Sequence, residues 1–297
     1  PAEDILCEAF SSVLLESEDL DMKENDDPNM CSSYVKDIYK YLRHLEENRP
    51  VTCKYLAGEE INGNMQATLI NWLVQVQMKF SLHQETLYLT VAIIYHFLQD
   101  NTVFKMKLPL VGVTAMFIAS KYEEVFPPCI RDFSYVTNYT CLKFHIRKME
   151  SKILKAMDFC LGFSLPLHFL KRASRTPQVV FEQYVLAKYL MELCIVNYDM
   201  VHFCPSRTAA AAFCLSLKLL SGWKLLQYLQ QLTSYTESDI LPVMQHMAKN
   251  VVNVNKGATK QQAILKKYAT EAHTKISTIE QLDSSIIWEL AKPLVKN

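Results

Sequence analysis

The length, composition and charge of the chain describe a folded protein rich in helices. Half of its 297 residues are hydrophobic, 21% are charged, and the formal net charge is zero. A chain of this size can bury a sizeable core, and its balance excludes a disordered protein. Only six glycines occur, which favours helices over short strands with tight turns. No Lys/Arg cluster interleaved with aromatic residues is present, which argues against binding of nucleic acid.

The nine cysteines predict neither a zinc site nor a redox site. They are scattered, and none forms a Cys-x-x-Cys pair. An odd number of cysteines in a chain without a secretory signal predicts a reducing compartment. No run of about 18 uncharged apolar residues occurs, so we expect no membrane span. Because the chain begins with Pro1 rather than methionine, we expect further sequence upstream.

The first 30 residues are acidic and are expected to form a flexible tail. Residues 1–27 carry ten Asp and Glu side chains against Lys23 alone, and no apolar period continues long enough for a packed helix. One patch of this tail differs because it spaces apolar residues closely. Its members are Leu6, Phe10, Val13 and Leu15.

Helical periodicity begins near Ser33 and predicts six helices in the first half of the chain. Apolar residues at helical spacing mark each helix, and prolines separate several of them. The expected ranges are about 33–48, 65–80, 87–98, 107–122, 131–136 and 142–157. The fourth is apolar on nearly every side from Leu110 to Ile118, which predicts that it lies in the centre of a bundle. Pro109 fits only in its first turn.

The pattern restarts at Pro166 and predicts five further helices, at about 167–175, 179–196, 205–220, 237–253 and 258–269. The nearly apolar run Ala209–Lys218 aligns with Ala115–Lys121, and both end in lysine. This is a weak internal repeat of ~100 residues. The sequence therefore predicts an all-α protein with an N-terminal helix and two tandem five-helix domains, residues 31–165 and 166–297.

No motif for catalysis, metal binding or nucleotide binding is present. The chain lacks G-x-G-x-x-G, G-x-x-x-x-G-K-[ST], G-x-S-x-G and H-E-x-x-H. Its eight histidines occur singly and are interpreted as surface or helix-cap residues. Glu123 and Glu124 are adjacent, so they do not face each other on a helix, and a solvated helix end is the better interpretation. The sequence predicts a protein that is not an enzyme and needs no metal or cofactor.

Three stretches resemble the cyclin family. Met65–Val76 (MQATLINWLVQV) is similar to the signature of the cyclin box. Leu110–Glu124 (LVGVTAMFIASKYEE) is similar to the central helix of that fold, and Ile146–Glu150 (IRKME) to its last helix. Cyclins consist of two tandem all-helical cyclin folds, so the resemblance implies the same architecture that the helical patterning predicts.

Two more stretches, Leu165–Leu170 and Tyr189–Leu193, resemble the mitotic B-type group in particular. The likeness extends from about residue 27 to the C-terminus. It implies a regulatory subunit that binds and activates a mitotic cyclin-dependent Ser/Thr kinase. Such a subunit also helps to select substrates and controls entry into mitosis.

The resemblance predicts a kinase-binding surface around two charged residues. Lys121 and Glu150 match the charged pair with which the family grips the kinase, and Lys121 ends the central helix, where a cation complements the helix dipole. An ordinary surface ion pair is the alternative. The apolar residues that match contact positions are Tyr34, Ile38, Tyr41, Ile118, Tyr122, Leu154, Phe159 and Leu161. For each of them alone, packing in the core is the alternative.

A substrate-docking patch is the second predicted site. Met65, Leu69 and Trp72 share one helix face at i, i+4 and i+7. In the family this face is a shallow apolar patch that receives Arg-x-Leu-type substrates or inhibitors, with Gln75 nearby. Ordinary core packing is again the alternative.

The chain departs from the family pattern at six positions: Gln66, Thr68, Asn71, Tyr95, Cys129 and Phe163. The family usually has Arg, Ile, Asp, Asp, Glu and Arg there. The arginine and the second aspartate, replaced by Gln66 and Tyr95, form an ion pair in relatives. Losing both partners is milder than losing one, because no charge is left buried alone.

Because of these departures, two alternative functions remain open. One is a diverged cyclin-fold protein that binds a kinase weakly or not at all. The other is a cyclin-fold adaptor of the transcription-factor type, which the weak basicity of the folded part opposes.

The apolar patch of the tail resembles a leucine-rich nuclear export signal, which B-type cyclins carry beside a cytoplasmic retention region. It predicts a nuclear export receptor as a partner and a protein that shuttles between cytoplasm and nucleus, with centrosome or spindle association. Ser11 lies inside the patch, and its phosphorylation is expected to weaken export by adding negative charge. No Arg is followed by Leu three residues later, so the Arg-x-x-Leu destruction box of the family is expected upstream.

Overall fold

The residues of the first half that the structure describes form six α-helices. The computed structural model describes residues 34–175, 178–220 and 229–295; the predicted flexible tail and its export-like patch, with Ser11, lie outside the described residues. The helices are α1 (Val35–Asn48), α2 (Gly63–Lys79), α3 (Gln84–Asp100), α4 (Leu108–Glu123), α5 (Ile130–Val136) and α6 (Lys143–Ala156). All six agree with the predicted set to within a few residues at each end.

The described residues of the second half form seven α-helices. They are α7 (Pro166–Ala173), α8 (Phe181–Ile195), α9 (Pro205–Leu219), α10 (Leu229–Thr233), α11 (Glu237–Asn255), α12 (Ala263–Tyr268) and α13 (Ser285–Ala291). Short 3₁₀-helices lie at Lys105–Lys107, Tyr198–Met200, Glu271–His273, Ile276–Thr278 and Glu280–Asp283. The described residues contain no strand, and the predicted all-α class is confirmed.

Three helices of the second half differ from the prediction. The sequence predicts α12 from residue 258, whereas it begins at Ala263. Gly257 adopts a left-handed φ of 65° just after α11, and the Ala263 amide donates to Oδ1 of Asn71 at 2.9 Å. That cap comes from a residue 192 positions away, beyond the reach of a local pattern. The short helices α10 and α13 are absent from the predicted set, since five or seven residues show too little of a helical period.

Helices α4 and α9 are the centres of the two halves. All residues from Val111 to Ser120 are buried, where α4 packs against α2, α3 and α6. Residues Thr208–Leu217 of α9 are buried in the same way, between α7, α8 and α11. Both helices begin with a proline in the first turn, where no N–H is needed. The two halves therefore follow one plan.

A buried cluster of polar and charged side chains joins the two halves. Nζ of Lys267 lies 2.7 and 2.9 Å from the carboxylate oxygens of Glu192. The Tyr268 hydroxyl and Nε2 of Gln84 donate to the same carboxylate at 2.9 and 2.6 Å, while Oε1 of Gln77 accepts from Lys267 at 3.1 Å. Glu192 and Lys267 both belong to the second half, and Gln77 and Gln84 of the first half hydrogen-bond to them across the interface. These bonds satisfy the buried charges, which would otherwise be costly.

His96 makes the folded state sensitive to acid. Its ring stacks on Phe163 with 4.8 Å between the ring centres. Burial, and then the nearby Arg49 cation, lower the pKa of His96 from 6.5 to about 4. Because the pKa is higher in the unfolded chain, protons bind preferentially to the unfolded chain below pH 6.5. This contribution to stability is therefore complete above the unfolded pKa and is lost as the pH falls towards the folded pKa.

We expect this histidine to lower the free energy of unfolding by about 2 kcal/mol between pH 7 and pH 5. Urea unfolding of the wild-type protein and of His96→Asn at both pH values measures the effect. Between pH 7 and pH 5 the free energy of unfolding should fall less in the variant than in the wild-type protein. His44→Asn, at an exposed position of α1, is the matched control and should behave as wild type. Equal losses in all three proteins would show that other groups cause the acid sensitivity.

Candidate functional site

Lys121 lies in the last turn of α4, where the central helix reaches the surface. Its ammonium forms an ion pair with the carboxylate of Glu150 on α6, and Nζ lies 4.3 Å from the centre of the Phe117 ring. The Lys121 side chain is 43% exposed and that of Glu150 is 16% exposed. The cation complements the negative end of α4, and the shielded carboxylate orients it. The pair thus presents one oriented cation to a partner.

Aromatic side chains are exposed next to this pair. Tyr122 is 56% exposed and follows Lys121 directly, while Phe159 is 67% exposed just after α6. Asp158 and Phe159 both have left-handed φ values, 48° and 57°, which are unfavourable for residues other than glycine. This strained turn leaves the Phe159 ring in solvent rather than in the core. Strain of this kind is commonly found at functional sites.

Helix α1 adds an exposed apolar face. Tyr34, Ile38 and Tyr41 lie at i, i+4 and i+7 and are all exposed. Arg49, which follows α1, donates to the carbonyl oxygen of Cys160 at 3.2 Å, so the C-terminal end of α1 adjoins the segment that carries Phe159. Tyr34 lies at the far end of this 14-residue helix, about 20 Å away. Lys121, Glu150, Tyr122, Phe159 and Tyr41 are hereafter called the Lys121 surface.

Three predicted contact residues are less accessible. Ile118 is only 2% exposed, because it precedes Lys121 by almost one turn on the inward side of α4. For Ile118 the structure therefore favours the alternative of core packing. Leu154 and Leu161 are half-buried and pack against the core, so each has only part of its side chain available to a partner.

Two exposed apolar residues follow Lys121 and Tyr122 closely in the chain but are not among the predicted contacts. Val125 and Phe126 are 80% and 93% exposed in the loop that follows α4. They directly precede Pro127 and Pro128, which prevent the helix from continuing and packing them. An apolar pair between a helix end and a Pro-Pro step is the sequence signal that could have identified them.

The predicted docking patch is an open groove of about 820 Å³ between α2, the start of α4 and the segment after α5. Met65, Leu69 and Trp72 line it together, as predicted from their shared helix face, whereas Gln75 is exposed outside its lining. Among the residues of the groove lining that the structure describes, none is Asp or Glu. Lys105 stands at its edge, 3.5 Å from Glu60. The groove is therefore apolar with a cation at its rim.

Gly112 sets the depth of this groove. A Cβ atom at Gly112 would lie 2.7 Å from Cδ1 of Leu69, closer than packed atoms approach. We expect Gly112→Ala to push Leu69 into the groove and to lower the free energy of unfolding by about 1–3 kcal/mol. Thermal unfolding measures the change. Gly162→Ala is the control, since its nearest neighbour would be 3.9 Å away. Equal stability of the two variants would contradict the close approach.

Gln66 and Tyr95 occupy the two positions of the family ion pair, and each forms a hydrogen bond between neutral groups. The Tyr55 hydroxyl donates to Oε1 of Gln66 at 2.6 Å, and the Tyr95 hydroxyl donates to the carbonyl oxygen of Ile195 at 2.7 Å. Burial raises the pKa of Tyr95 far above its ordinary value, so the hydroxyl stays protonated and can donate. No charge is left unpaired at these two positions, and the Tyr95 bond links the two halves.

The other four departures also make contacts within the fold. Asn71 accepts from the Ala263 amide, as described above, and the Thr68 hydroxyl donates to the Asn64 carbonyl at 2.8 Å. The Cys129 amide donates to Oδ2 of an aspartate at the start of α5, at 2.9 Å, and Phe163 stacks on a histidine ring. Asn71, Thr68 and Phe163 thus make side-chain contacts, whereas the bond at Cys129 comes from the backbone and does not depend on the side chain.

The described part of the chain contains no group of three or more His, Cys, Asp or Glu side chains placed to hold a metal ion. None of its helices combines the length and apolar character needed to cross a membrane.

Burial, followed by repulsion from Glu85 and Glu124, raises the pKa of Glu123. Glu124 itself accepts from the His83 amide at 2.7 Å and the Thr86 hydroxyl at 2.5 Å, which gives it a structural role.

Comparison with solved structures supports the fold. A viral cyclin from herpesvirus saimiri superposes with a TM-score of 0.62 at 16% sequence identity, over 78% of this chain and 99% of that chain. At this level of identity the likeness concerns the fold alone.

Comparison of sequences identifies the family. The family model for the cyclin N-terminal domain matches residues 37–162, and the model for the cyclin C-terminal domain matches residues 164–282. The chain is 55% identical over 292 residues to the G2/mitotic-specific cyclin-B1 of Xenopus laevis, covering 98% of this chain and 74% of the relative. It is 54% identical over 296 residues to the G2/mitotic-specific cyclin-B2 of Bos taurus, covering 99% and 74%. The chain therefore belongs to the cyclin family and, within it, to the mitotic B-type group.

Proposed function

We propose that this chain is the regulatory subunit of a mitotic cyclin-dependent Ser/Thr kinase, which it binds and activates to control entry into mitosis. The observation that carries the proposal is the Lys121–Glu150 ion pair at the exposed end of α4, beside Tyr122 and Phe159. Its place in a chain 55% identical to a mitotic cyclin supports the class of partner. An apolar centre with a charged rim is the usual anatomy of a protein interface.

The activation mechanism is a shift of population in the kinase. A kinase is active only when its own Lys–Glu ion pair and its activation loop are in place. A rigid surface that fits this arrangement better than the inactive one favours it by differential binding. The buried central helix and the shielded Glu150 carboxylate support such rigidity in the Lys121 surface. The chain contributes binding and the kinase contributes all the chemistry, so this subunit is not itself an enzyme.

The direct test mixes the purified chain with a mitotic cyclin-dependent kinase and measures histone phosphorylation. We expect a dissociation constant of about 1 μM or lower, which corresponds to a binding free energy of about −8 kcal/mol or more negative. We also expect a large rise in kinase activity. A kinase that stays unbound and inactive at that concentration would leave a diverged cyclin without activating function as the better assignment.

We also propose that the groove of Met65, Leu69 and Trp72 receives apolar segments of substrates. The absence of Asp and Glu from its lining and the cation at its rim weigh against strong recognition of an arginine. A buried or half-buried cation without a carboxylate partner is unfavourable. Apolar docking segments should thus bind at least as well as Arg-x-Leu segments.

A pair of labelled peptides tests this preference by fluorescence anisotropy. One peptide carries an Arg-x-Leu segment, and in the other glutamine replaces the arginine. We expect the glutamine peptide to bind with equal or higher affinity, and Trp72→Ala to weaken both by about tenfold, or 1.4 kcal/mol. Markedly tighter binding of the arginine peptide would show that a carboxylate outside the groove reaches it.

For localisation we propose shuttling between cytoplasm and nucleus through the export-like patch of Leu6, Phe10, Val13 and Leu15, with centrosome or spindle association as a further property. The spacing of these residues in the acidic tail supports the proposal. A reporter fused to residues 1–30 should leave the nucleus, and Ser11→Asp should slow its exit because it adds charge to the apolar strip. A reporter that exits at the same rate with and without the tail would refute it.

A further inference from the structure

A cavity of about 310 Å³ lies between α1 and the second half of the protein. It is separate from the Lys121 surface and from the docking groove. Among the described residues that line it, four are basic, namely Lys36, Lys40, Arg43 and Arg172, and none is acidic. The volume leaves room for several water molecules, so the cavity could hold a small polar group.

The three cations of α1 share one face of the helix. Lys36, Lys40 and Arg43 lie at i, i+4 and i+7, and this face lines the cavity. This arrangement is unfavourable for the helix in two respects. Like charges at i and i+4 repel each other, and a cation in the first turn opposes the positive end of the helix dipole. A bound anion would remove both penalties.

Contacts with aromatic rings and a backbone carbonyl hold the two guanidinium groups in place. Arg43 donates to the Thr233 carbonyl at 2.6 Å and lies 4.6 Å from the centre of the Tyr235 ring. Arg172 lies 4.6 Å from the centre of the Tyr39 ring. Because these contacts fix the side chains beforehand, little rotamer entropy is lost when an anion binds, and planar guanidinium groups suit phosphate oxygens.

Two carboxylates of α1 in the described part of the chain are engaged or lie off the cavity. Glu46 accepts from the backbone amide of Ser206 at 3.0 Å and from its hydroxyl, and it lies within electrostatic reach of Arg43. Asp37 neighbours Lys36 on α1 but does not line the cavity. Arg172 also complements the C-terminal end of α7. These contacts compensate part of the charge and leave the two lysines of α1 facing the cavity.

We propose that this cavity binds a phosphorylated serine or threonine side chain of a protein partner. A phosphate carries about two negative charges and three strong acceptor oxygens at neutral pH, which matches a concave site where several cations converge and no described lining residue is acidic. Recognition of phosphorylated segments by clusters of basic side chains is an established mode of binding. The site would let this protein select partners by their phosphorylation state, independently of the Lys121 surface.

The test measures fluorescence anisotropy of a labelled short peptide with one phosphoserine among neutral residues, added to the full chain. Replacing both lysines, Lys36→Ser with Lys40→Ser, is expected to weaken binding by about tenfold or more. The control variant, Lys155→Ser with Lys260→Ser, removes the same charge from exposed positions outside the cavity and should change affinity by less than about twofold. Thermal unfolding of both variants checks that the fold is kept.

Several results would overturn the proposal. One is an equal loss of affinity in the two double variants, because the effect would then come from net charge alone. Another is equal binding of the unphosphorylated peptide. A third is binding of an unphosphorylated peptide of residues 16–27 as tight as that of the phosphopeptide, which would assign the cavity to the acidic tail of the chain itself. Absence of saturable phosphopeptide binding below about 1 mM, or −4 kcal/mol, would show that the cavity is only a solvated basic face.

Discussion

Replacing Lys267 with methionine is expected to lower the free energy of unfolding by about 3–5 kcal/mol. The Glu192 carboxylate has no exposed surface, and the Lys267 side chain is 8% exposed. Removal of the ammonium leaves a buried carboxylate with two neutral hydrogen-bond donors, from Gln84 and Tyr268, and with the Lys188 cation acting on it only electrostatically. Desolvation of such a charge costs more than those hydrogen bonds return. The midpoint of urea unfolding at pH 7 measures the loss.

A double variant and a surface control sharpen this experiment. Adding Glu192→Gln to Lys267→Met removes the isolated charge, so the double variant should be more stable than the single one, a coupling that only partners in contact produce. The control is Lys275→Met, which breaks the exposed ion pair with Glu271 and should cost at most about 0.5 kcal/mol. A single variant within about 1 kcal/mol of wild type would show that water reaches the carboxylate.

Lys121→Ala and Glu150→Ala are each expected to weaken kinase binding by about 2 kcal/mol or more, roughly 30-fold. The Lys121→Ala variant lacks the cation that would hydrogen-bond to the kinase. Glu150→Ala leaves that cation without the carboxylate that orients it. Because both residues act through one contact, the double variant should lose little more than either single variant. Titration of the labelled kinase, with histone phosphorylation as a second readout, measures the effects.

The second half of the protein offers a matched control for this pair. Lys218 ends α9 as Lys121 ends α4, and its Nζ lies 2.5 Å from Glu237. Lys218→Ala should leave kinase affinity within about twofold. An ion pair with an exposed partner contributes only about 0–1 kcal/mol to stability, so all these variants should keep their fold. Equal loss of kinase binding in Lys121→Ala and Lys218→Ala would locate the interface elsewhere.

The six departures from the family pattern do not by themselves indicate a non-functional copy. Gln66 and Tyr95 make neutral hydrogen bonds in place of a charged pair, and Asn71 caps a helix of the other half. None of the six belongs to the Lys121 surface. Thr68 is the departure that lines the docking groove. Loss of kinase activation is therefore not expected from these positions, whereas a change in docking preference is.

Much of the candidate site could be predicted from the sequence. The pairing of Lys121 with Glu150 and the shared groove face of Met65, Leu69 and Trp72 appear in the structure as expected. Accessibility was harder to predict, since Ile118 is buried while Val125 and Phe126 are exposed. Exposure depends on where α4 emerges from the bundle, and a helical period does not specify that point.

The sequence by itself determined the all-helical class, the six helices of the first half, the two central helices and the resemblance to cyclins. The helices follow from contacts at i+3 and i+4, which periodicity records directly, whereas the resemblance rests on whole stretches of sequence such as Met65–Val76. Only the tertiary structure decided the Glu192–Lys267 cluster, with partners up to 190 residues apart, and the basic cavity between α1 and the second half. Such sites arise where helices from distant parts of the chain meet, and no local pattern encodes which polar side chains will face each other there.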